Sequence, residues 1–115
     1  MKGKIGDRQR RFHIVEAISE IQVYVANTGI NKFLSNSMML FACVKQIEII
    51  GEAANIITPE TKSLFTDLEW KKIIGMRHIL VHEYFGIDFE LIWQVIISDL
   101  PDLKQKILLV IDDIP

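Results

Sequence analysis

Hydrophobic positions recur at helical spacing along almost the whole of this chain. Ile14, Ile18, Ile21 and Val25 stand at i, i+4, i+7 and i+11, with Phe12 and Val15 beside them, so a first helix has one apolar face. "NTGIN" at 27–31 interrupts the pattern with turn-forming residues. A second, longer run passes through Leu40, Cys43, Val44, Ile47, Ile50, Gly51 and Ala54 and is apolar on more than one side, as a central or interface helix would be. Pro59 directly after Thr58 predicts a short helix capped by Thr58. Thr66 or Asp67 can cap the next helix, which carries Trp70, Ile73, Ile74, Arg77, Val81 and Tyr84 and is ended by "FGID" at 85–88. Asp88 then caps a last segment whose stripe runs through Phe89, Ile92, Trp93, Ile96, Leu100, Leu103, Ile107, Ile111 and Ile114. Pro101 removes a backbone donor inside that stripe, which predicts a kink or break near 99–101. Nothing alternates with period two for long enough to form a strand. The expected fold is all-α: an antiparallel four-helix bundle with a short extra helix and a kinked or broken last helix, residues 1–115 forming one domain.

Composition narrows the function classes. Half of the 115 residues are hydrophobic, which is greasy for a small monomer and predicts that some apolar surface belongs to an oligomer interface. The one cysteine, Cys43, excludes an internal disulfide and a cysteine-built zinc cage, and fits a reduced cytoplasm. Its neighbours Phe41 and Val44 make it a packing residue rather than a reactive thiol. The start is basic with no apolar run behind it, so no signal peptide is expected. The window "MMLFACV" is cut short by Lys45, Gln46 and Glu48, too soon to span a bilayer. A soluble, cytoplasmic protein without a membrane partner is the expectation. The net charge of −2 argues against a general nucleic-acid coat protein. Lys2, Lys4, Arg8, Arg10 and Arg11 nevertheless crowd the first turns with only Asp7 opposing them, as a solvated helix start or a phosphate contact would.

Candidate chemistry lies in "MRHILVHEYFGID" at 76–88. At about 100° per residue, Arg77 falls within roughly 20° of Trp70. The same rotation puts Arg77 in the middle of the apolar stripe, with Tyr84 two turns along on that face and His82 about 140° away. A single straight helix does not bring Arg77 and His82 together on one small ligand. Either the helix frays before "FGID", or a second copy of the chain supplies the missing neighbours across a symmetric cleft. On residue chemistry alone, Arg77 is equally a structural arginine bonded to helix carbonyls, Glu48 or Glu52, and Tyr84 a core tyrosine with a wet hydroxyl. His78 and His82 share the i, i+4 spacing of a two-histidine metal site, but Ile79 stands where the zinc-protease helix needs glutamate and only Asp88 is near as a third ligand. No metal and no cofactor are expected.

Arg77, four residues, His82, one residue and Tyr84 resemble the R-x4-H-x-Y signature of the HepT-like toxins, in the HEPN superfamily of small helical ribonucleases. "QIEIIGEAAN" at 46–55, the "ID…IW" start after the motif and "DLPDLK" at 99–104 are similar to that family too, so the resemblance spans nearly the whole chain. It implies homodimers of helical bundles with paired motifs facing one cleft, and metal-independent cleavage of RNA. It implies that His82 moves protons, that Arg77 grips the phosphate, and that His78 is a neighbour able to help bind phosphate. The implied products are a 2′,3′-cyclic phosphate and a free 5′-hydroxyl. It further implies a type VII toxin–antitoxin pair in which a minimal nucleotidyltransferase (MntA-type) antitoxin attaches AMP to Tyr84. The rival expectation is a non-catalytic, nucleotide-binding or scaffolding subunit for that nucleotidyltransferase.

Overall fold

The structure, a computed structural model, describes residues 2–82 and 88–110; the side chains of 2–5, 78, 79, 81, 82 and 110 lie outside the described part. The elements are α1 (Lys2–Tyr24), α2 (Ile30–Ser35), α3 (Ser37–Ile56), α4 (Pro59–Leu64), α5 (Trp70–His82), α6 (Phe89–Gln94), a π-helical turn (Val95–Asp99) and α7 (Leu100–Val110). All regular structure among the described residues is helical, as the absence of period-two patterning predicts.

Local chemistry sets most of the boundaries. Asn36 accepts from the Met39 amide at 3.1 Å and starts α3. Thr58 caps α4 with Pro59 in its first turn, and Asp88 caps α6 by accepting from the Leu91 amide at 3.1 Å. One start differs from expectation. α5 begins at Trp70, because residues 66–67 form a turn and the Trp70 indole donates to the Phe65 carbonyl at 3.1 Å. Pro101 acts on the chain just ahead of it. Its missing N–H leaves the helix to close wider there, the Leu100 amide bonding to the Val95 carbonyl, so the expected kink is a π turn followed by resumed α-helix.

The bundle direction follows from contacts along its length. Asp7, near the start of α1, bonds Thr58 just beyond the end of α3, whereas Tyr24 at the end of α1 accepts from Gln46 midway along α3 at 3.2 Å. These helices are therefore antiparallel. α5 and the last segment also run oppositely: Lys72 reaches Asp99 at 3.5 Å, and Leu68 shares a groove with Lys106 and Leu109. Lys104 donates to Gln22 at 2.8 Å and ties α7 to the end of α1.

One contiguous core joins these elements. Ile14, Ile18 and Ile21 of α1 meet Leu40, Cys43, Ile47, Ile50 and Ala54 of α3, and Ile92, Ile96, Leu100, Leu103 and Ile107 close it, all buried as the stripes predict. α2 has no counterpart among the expected elements. It is six residues long, its Gly29 start makes no side-chain cap bond, and it is held by Phe33, fully buried with its ring 5.0 Å from that of Trp93. Ile30 packs partly buried against the core, and a helix of six residues is too short to leave a periodic signal.

The basic start of α1 is not simply solvated. Asp7 and Arg11 are both 1% exposed. The Asp7 carboxylate accepts from the Thr58 amide at 3.0 Å, from the Thr58 hydroxyl at 2.6 Å and from the Thr61 hydroxyl. The Arg11 guanidinium lies 4.4 Å from the Phe12 ring centroid. Arg8 alone of the described arginines there is exposed.

Candidate functional site

Arg77 sits at the third turn of α5, where that helix crosses α3. The buried face of α5 is formed by Ile73, Met76 and Leu80, which places Arg77 some 60° round from its centre. Arg77 therefore occupies the rim of the apolar stripe and not its middle, and its side chain is 30% exposed. A rim position lowers the desolvation cost of the guanidinium while its stem can lie along apolar surface.

Two consecutive residues of α3 fix this arginine. A Cβ at Gly51 would stand 2.8 Å from the Arg77 Cβ and 3.4 Å from its amide nitrogen, so the backbones meet here only because position 51 lacks a side chain. One residue on, Glu52 Oε2 accepts from Arg77 Nη1 at 3.0 Å. The root of the side chain is set by Gly51 and its tip by Glu52. Of the two acids considered for Arg77, the structure selects Glu52; Glu48 pairs with Lys45 at 3.7 Å. The Arg77–Glu52 pair is partly exposed, with the glutamate 60% accessible, and such pairs contribute about 0–1 kcal/mol.

Partly exposed ion pairs and an aromatic contact surround this crossing. Lys72 bridges to Glu69 at 3.9 Å and to Asp99 in the π turn at 3.5 Å. On α3, Met38, Phe41, Lys45, Glu48 and Glu52 follow three-and-four spacing along one outward stripe. Phe41 meets Phe89 of α6 edge to face at 6.1 Å, which brings the start of α6 beside that stripe. Met38 and Phe41 remain 85% and 57% exposed.

α5 is helical from Trp70 to His82, and the rest of the stretch before "FGID", residues 83–84, where fraying is the other expectation, lies outside the described residues. His82 closes the helix five residues beyond Arg77, about 140° round and roughly 7.5 Å along the axis. The side chains of His78 and His82 lie outside the described part, and so does Tyr84 altogether; the metal alternative resting on the two histidines falls there too. Among the described residues, no three His, Cys, Asp or Glu side chains cluster as metal ligands, and no helix is long and apolar enough to cross a membrane. Cys43 is a packing residue: it is fully buried, and desolvation pushes its thiol up to about 11.

The role of Gly51 went unread in the sequence, where it counted only as one more apolar position. The signal was present. A glycine inside a helical run costs about 1 kcal/mol against alanine and needs a packing reason, and here it precedes an acid.

Comparison with known proteins places the chain in a family. Residues 14–110, which include Arg77 and His82, match the family model described as HepT-like, ribonuclease HepT-like. The chain is 33% identical over 96 residues to "Putative RNase MJ1380" of Methanocaldococcus jannaschii, covering 84% of this chain and 88% of that protein. It is 36% identical over 93 residues to "Probable ribonuclease HepT" of Thermococcus cleftensis, covering 81% and 84% respectively. No solved structure matches it. The chain belongs to the HepT-like ribonuclease family.

Proposed function

We propose that this chain is a metal-independent endoribonuclease, the toxin of a type VII toxin–antitoxin pair, with Arg77 and His82 as its catalytic residues. The observation that carries the proposal is Arg77 held at the rim of α5 inside a chain that matches the ribonuclease family over residues 14–110. RNA carries its own nucleophile. The 2′-hydroxyl attacks the adjacent phosphorus, the 5′-oxygen leaves, and a 2′,3′-cyclic phosphate and a 5′-hydroxyl result. The protein needs only to move two protons and to hold the growing charge on the phosphoryl oxygens. An imidazole titrates in the right range for the first task and is assigned to His82. A guanidinium stays charged and matches two phosphoryl oxygens with its planar fork, the task assigned to Arg77. His78 is assigned as a phosphate-binding neighbour.

The site is proposed to be completed by a second copy. In a helix running from Trp70 to His82 these two positions stand about 140° apart, so a two-fold arrangement is proposed to give each arginine the partner's histidine. The exposed Met38 and Phe41, on the same stripe of α3 as Glu52, give such a homodimer apolar surface to cover. The partner is proposed to be a minimal nucleotidyltransferase antitoxin. It would transfer AMP from ATP to the Tyr84 phenol oxygen with release of pyrophosphate. The added phosphodiester would put negative charge and bulk where RNA binds.

The test is cleavage of a single-stranded RNA by the purified protein, by Arg77→Ala and by His82→Ala, each with and without EDTA. Loss of cleavage in both variants, with the wild-type rate unchanged by EDTA and a cyclic phosphate at the new 3′ end, is the expected result. Undiminished cleavage by both variants overturns it, and a rate abolished by EDTA in the wild type moves the reaction to a metal enzyme. Binding of AMP or ATP without RNA turnover would favour the scaffolding subunit instead.

A further inference from the structure

We propose that Glu52 is a positioning residue for RNA cleavage: it orients the Arg77 guanidinium before substrate arrives. The inference rests on the reading of Arg77 as the phosphate-binding group. Its basis is the contrast between how weakly the Arg77–Glu52 pair can stabilise the fold and how closely α3 approaches this side chain at both its root and its tip. Both members are partly exposed, at 30% and 60%, so the ion pair adds little to stability. Yet neighbouring positions of a single helix meet the arginine at both ends, its Cβ against Gly51 and its Nη1 on Glu52 Oε2 at 3.0 Å.

An unconstrained arginine samples many rotamers and must lose that freedom when it grips a phosphate. Glu52 removes part of the loss in advance. It holds the guanidinium through Nη1, and the fork carries five N–H donors, so a phosphate can be met by donors on another edge. The carboxylate also stands beside the place proposed for an anionic substrate, where it weakens ground-state binding through repulsion. Glu52 is therefore expected to act on kcat by orientation and on KM in the opposite sense by charge. A carboxylate serving only the fold would move neither in this pattern.

The experiment measures steady-state cleavage of a fluorophore-labelled single-stranded RNA by wild type, Glu52→Ala, Glu52→Gln, Arg77→Ala and the double variant Arg77→Ala/Glu52→Ala, with thermal melting of each. Glu52→Ala is expected to lower kcat about tenfold, toward the modest end of what misplacing a reacting group costs, with KM unchanged or reduced and the melting temperature unmoved. Glu52→Gln keeps an acceptor oxygen and is expected to recover most of the rate. Measured on the residual slow cleavage of Arg77→Ala under single-turnover conditions, loss of Glu52 should add nothing to loss of Arg77, because the glutamate acts through the arginine. Wild-type kcat in Glu52→Ala, with Arg77→Ala inactive, overturns the role of Glu52 and leaves the assignment of Arg77 standing. A lowered melting temperature with an additive loss in the double variant overturns it in favour of a structural ion pair. Full activity in Arg77→Ala overturns the underlying reading itself.

Discussion

The Cβ that Gly51 lacks would stand 2.8 Å from the Cβ of Arg77, so α3 and α5 cross with backbone against side-chain root at the residue assigned to bind phosphate. Nothing at that point is the movable tip of a long side chain. Both groups are anchored in helices, and one helix has to shift if an atom is added.

Gly51→Ala is therefore expected to destabilise by about 1–3 kcal/mol through overpacking, although alanine is the better helix former. It should also displace Arg77 and reduce RNA cleavage more than the stability loss explains. Gly75, in α5 itself, has nothing within 4 Å of its missing Cβ. Gly75→Ala is expected to stabilise by about 0.5–1 kcal/mol for the same gain in helix propensity. Urea denaturation of both variants checks the pair. Equal effects of either sign would show that the close crossing is not what position 51 serves.

How much of this was legible in the sequence differs by residue. The stripes through Ile14, Ile18 and Ile21, through Leu40, Cys43, Ile47 and Ile50, and through Ile92, Ile96, Leu100, Leu103 and Ile107 are buried where their spacing puts them, because burying an apolar face leaves periodicity in the chain. Caps at Thr58 and Asp88 were legible because each acts within four residues of itself. Asp7 was not. Its partners Thr58 and Thr61 lie 51 and 54 residues away, and only the antiparallel course of α1 and α3 brings them together. Arg77 was legible as a residue out of place on its stripe, but its shift to the rim depends on where α3 crosses. The choice of Glu52 over Glu48 is likewise a matter of one helical turn, which spacing within α3 alone does not fix. His82 and Tyr84 stay where the sequence left them, as assignments carried by resemblance.

Asp7 leads to a second prediction. It is a 1% exposed carboxylate accepting from the Thr58 amide and from the Thr58 and Thr61 hydroxyls, joining the start of α1 to the start of α4. Asp7→Ala leaves those donors without their acceptor and is expected to cost about 3 kcal/mol. Asp7→Asn retains one acceptor oxygen and should lose less. Thr61→Val removes a single donor and is expected to cost about 1 kcal/mol. Chemical denaturation of the three variants tests the ranking, and an Asp7→Ala variant as stable as wild type would contradict it.

Phe33 supports a third. It is the one fully buried residue of α2, its ring packs 5.0 Å from Trp93, and Ile30 adds a partly buried contact with the core, so Phe33 is the main apolar anchor of the short helix. Phe33→Ala should cost about 3–5 kcal/mol, the range for emptying a buried aromatic site. Water reaching the cavity should shift Trp93 emission to the red. The measurement is clean in a Trp70→Phe background, since the sequence holds only two tryptophans. Unchanged emission with unchanged stability would show that α2 is held by other contacts.

Cys43 supplies a prediction with a definite sign in pH. Its thiol is fully buried, and desolvation raises its pKa from 9.0 to about 11. In the unfolded chain the thiol ionises near its ordinary value, while in the folded protein it keeps its proton until about two units higher. Across that window the unfolded state binds fewer protons than the native state, so the slope of unfolding free energy with pH is negative. The contribution of the neutral buried thiol is complete below pH 9 and is lost as pH rises toward 11. A shift of this size corresponds to about 2–3 kcal/mol over the whole window. Cys43→Ala opens a small cavity and should be less stable than wild type at pH 8, yet its stability should fall less steeply between pH 9 and 11. Comparing the two slopes by urea denaturation cancels the lysines and tyrosines that titrate in both proteins. Parallel slopes would mean that the thiol ionises as readily in the fold as in water, which a side chain with no exposed surface should not do.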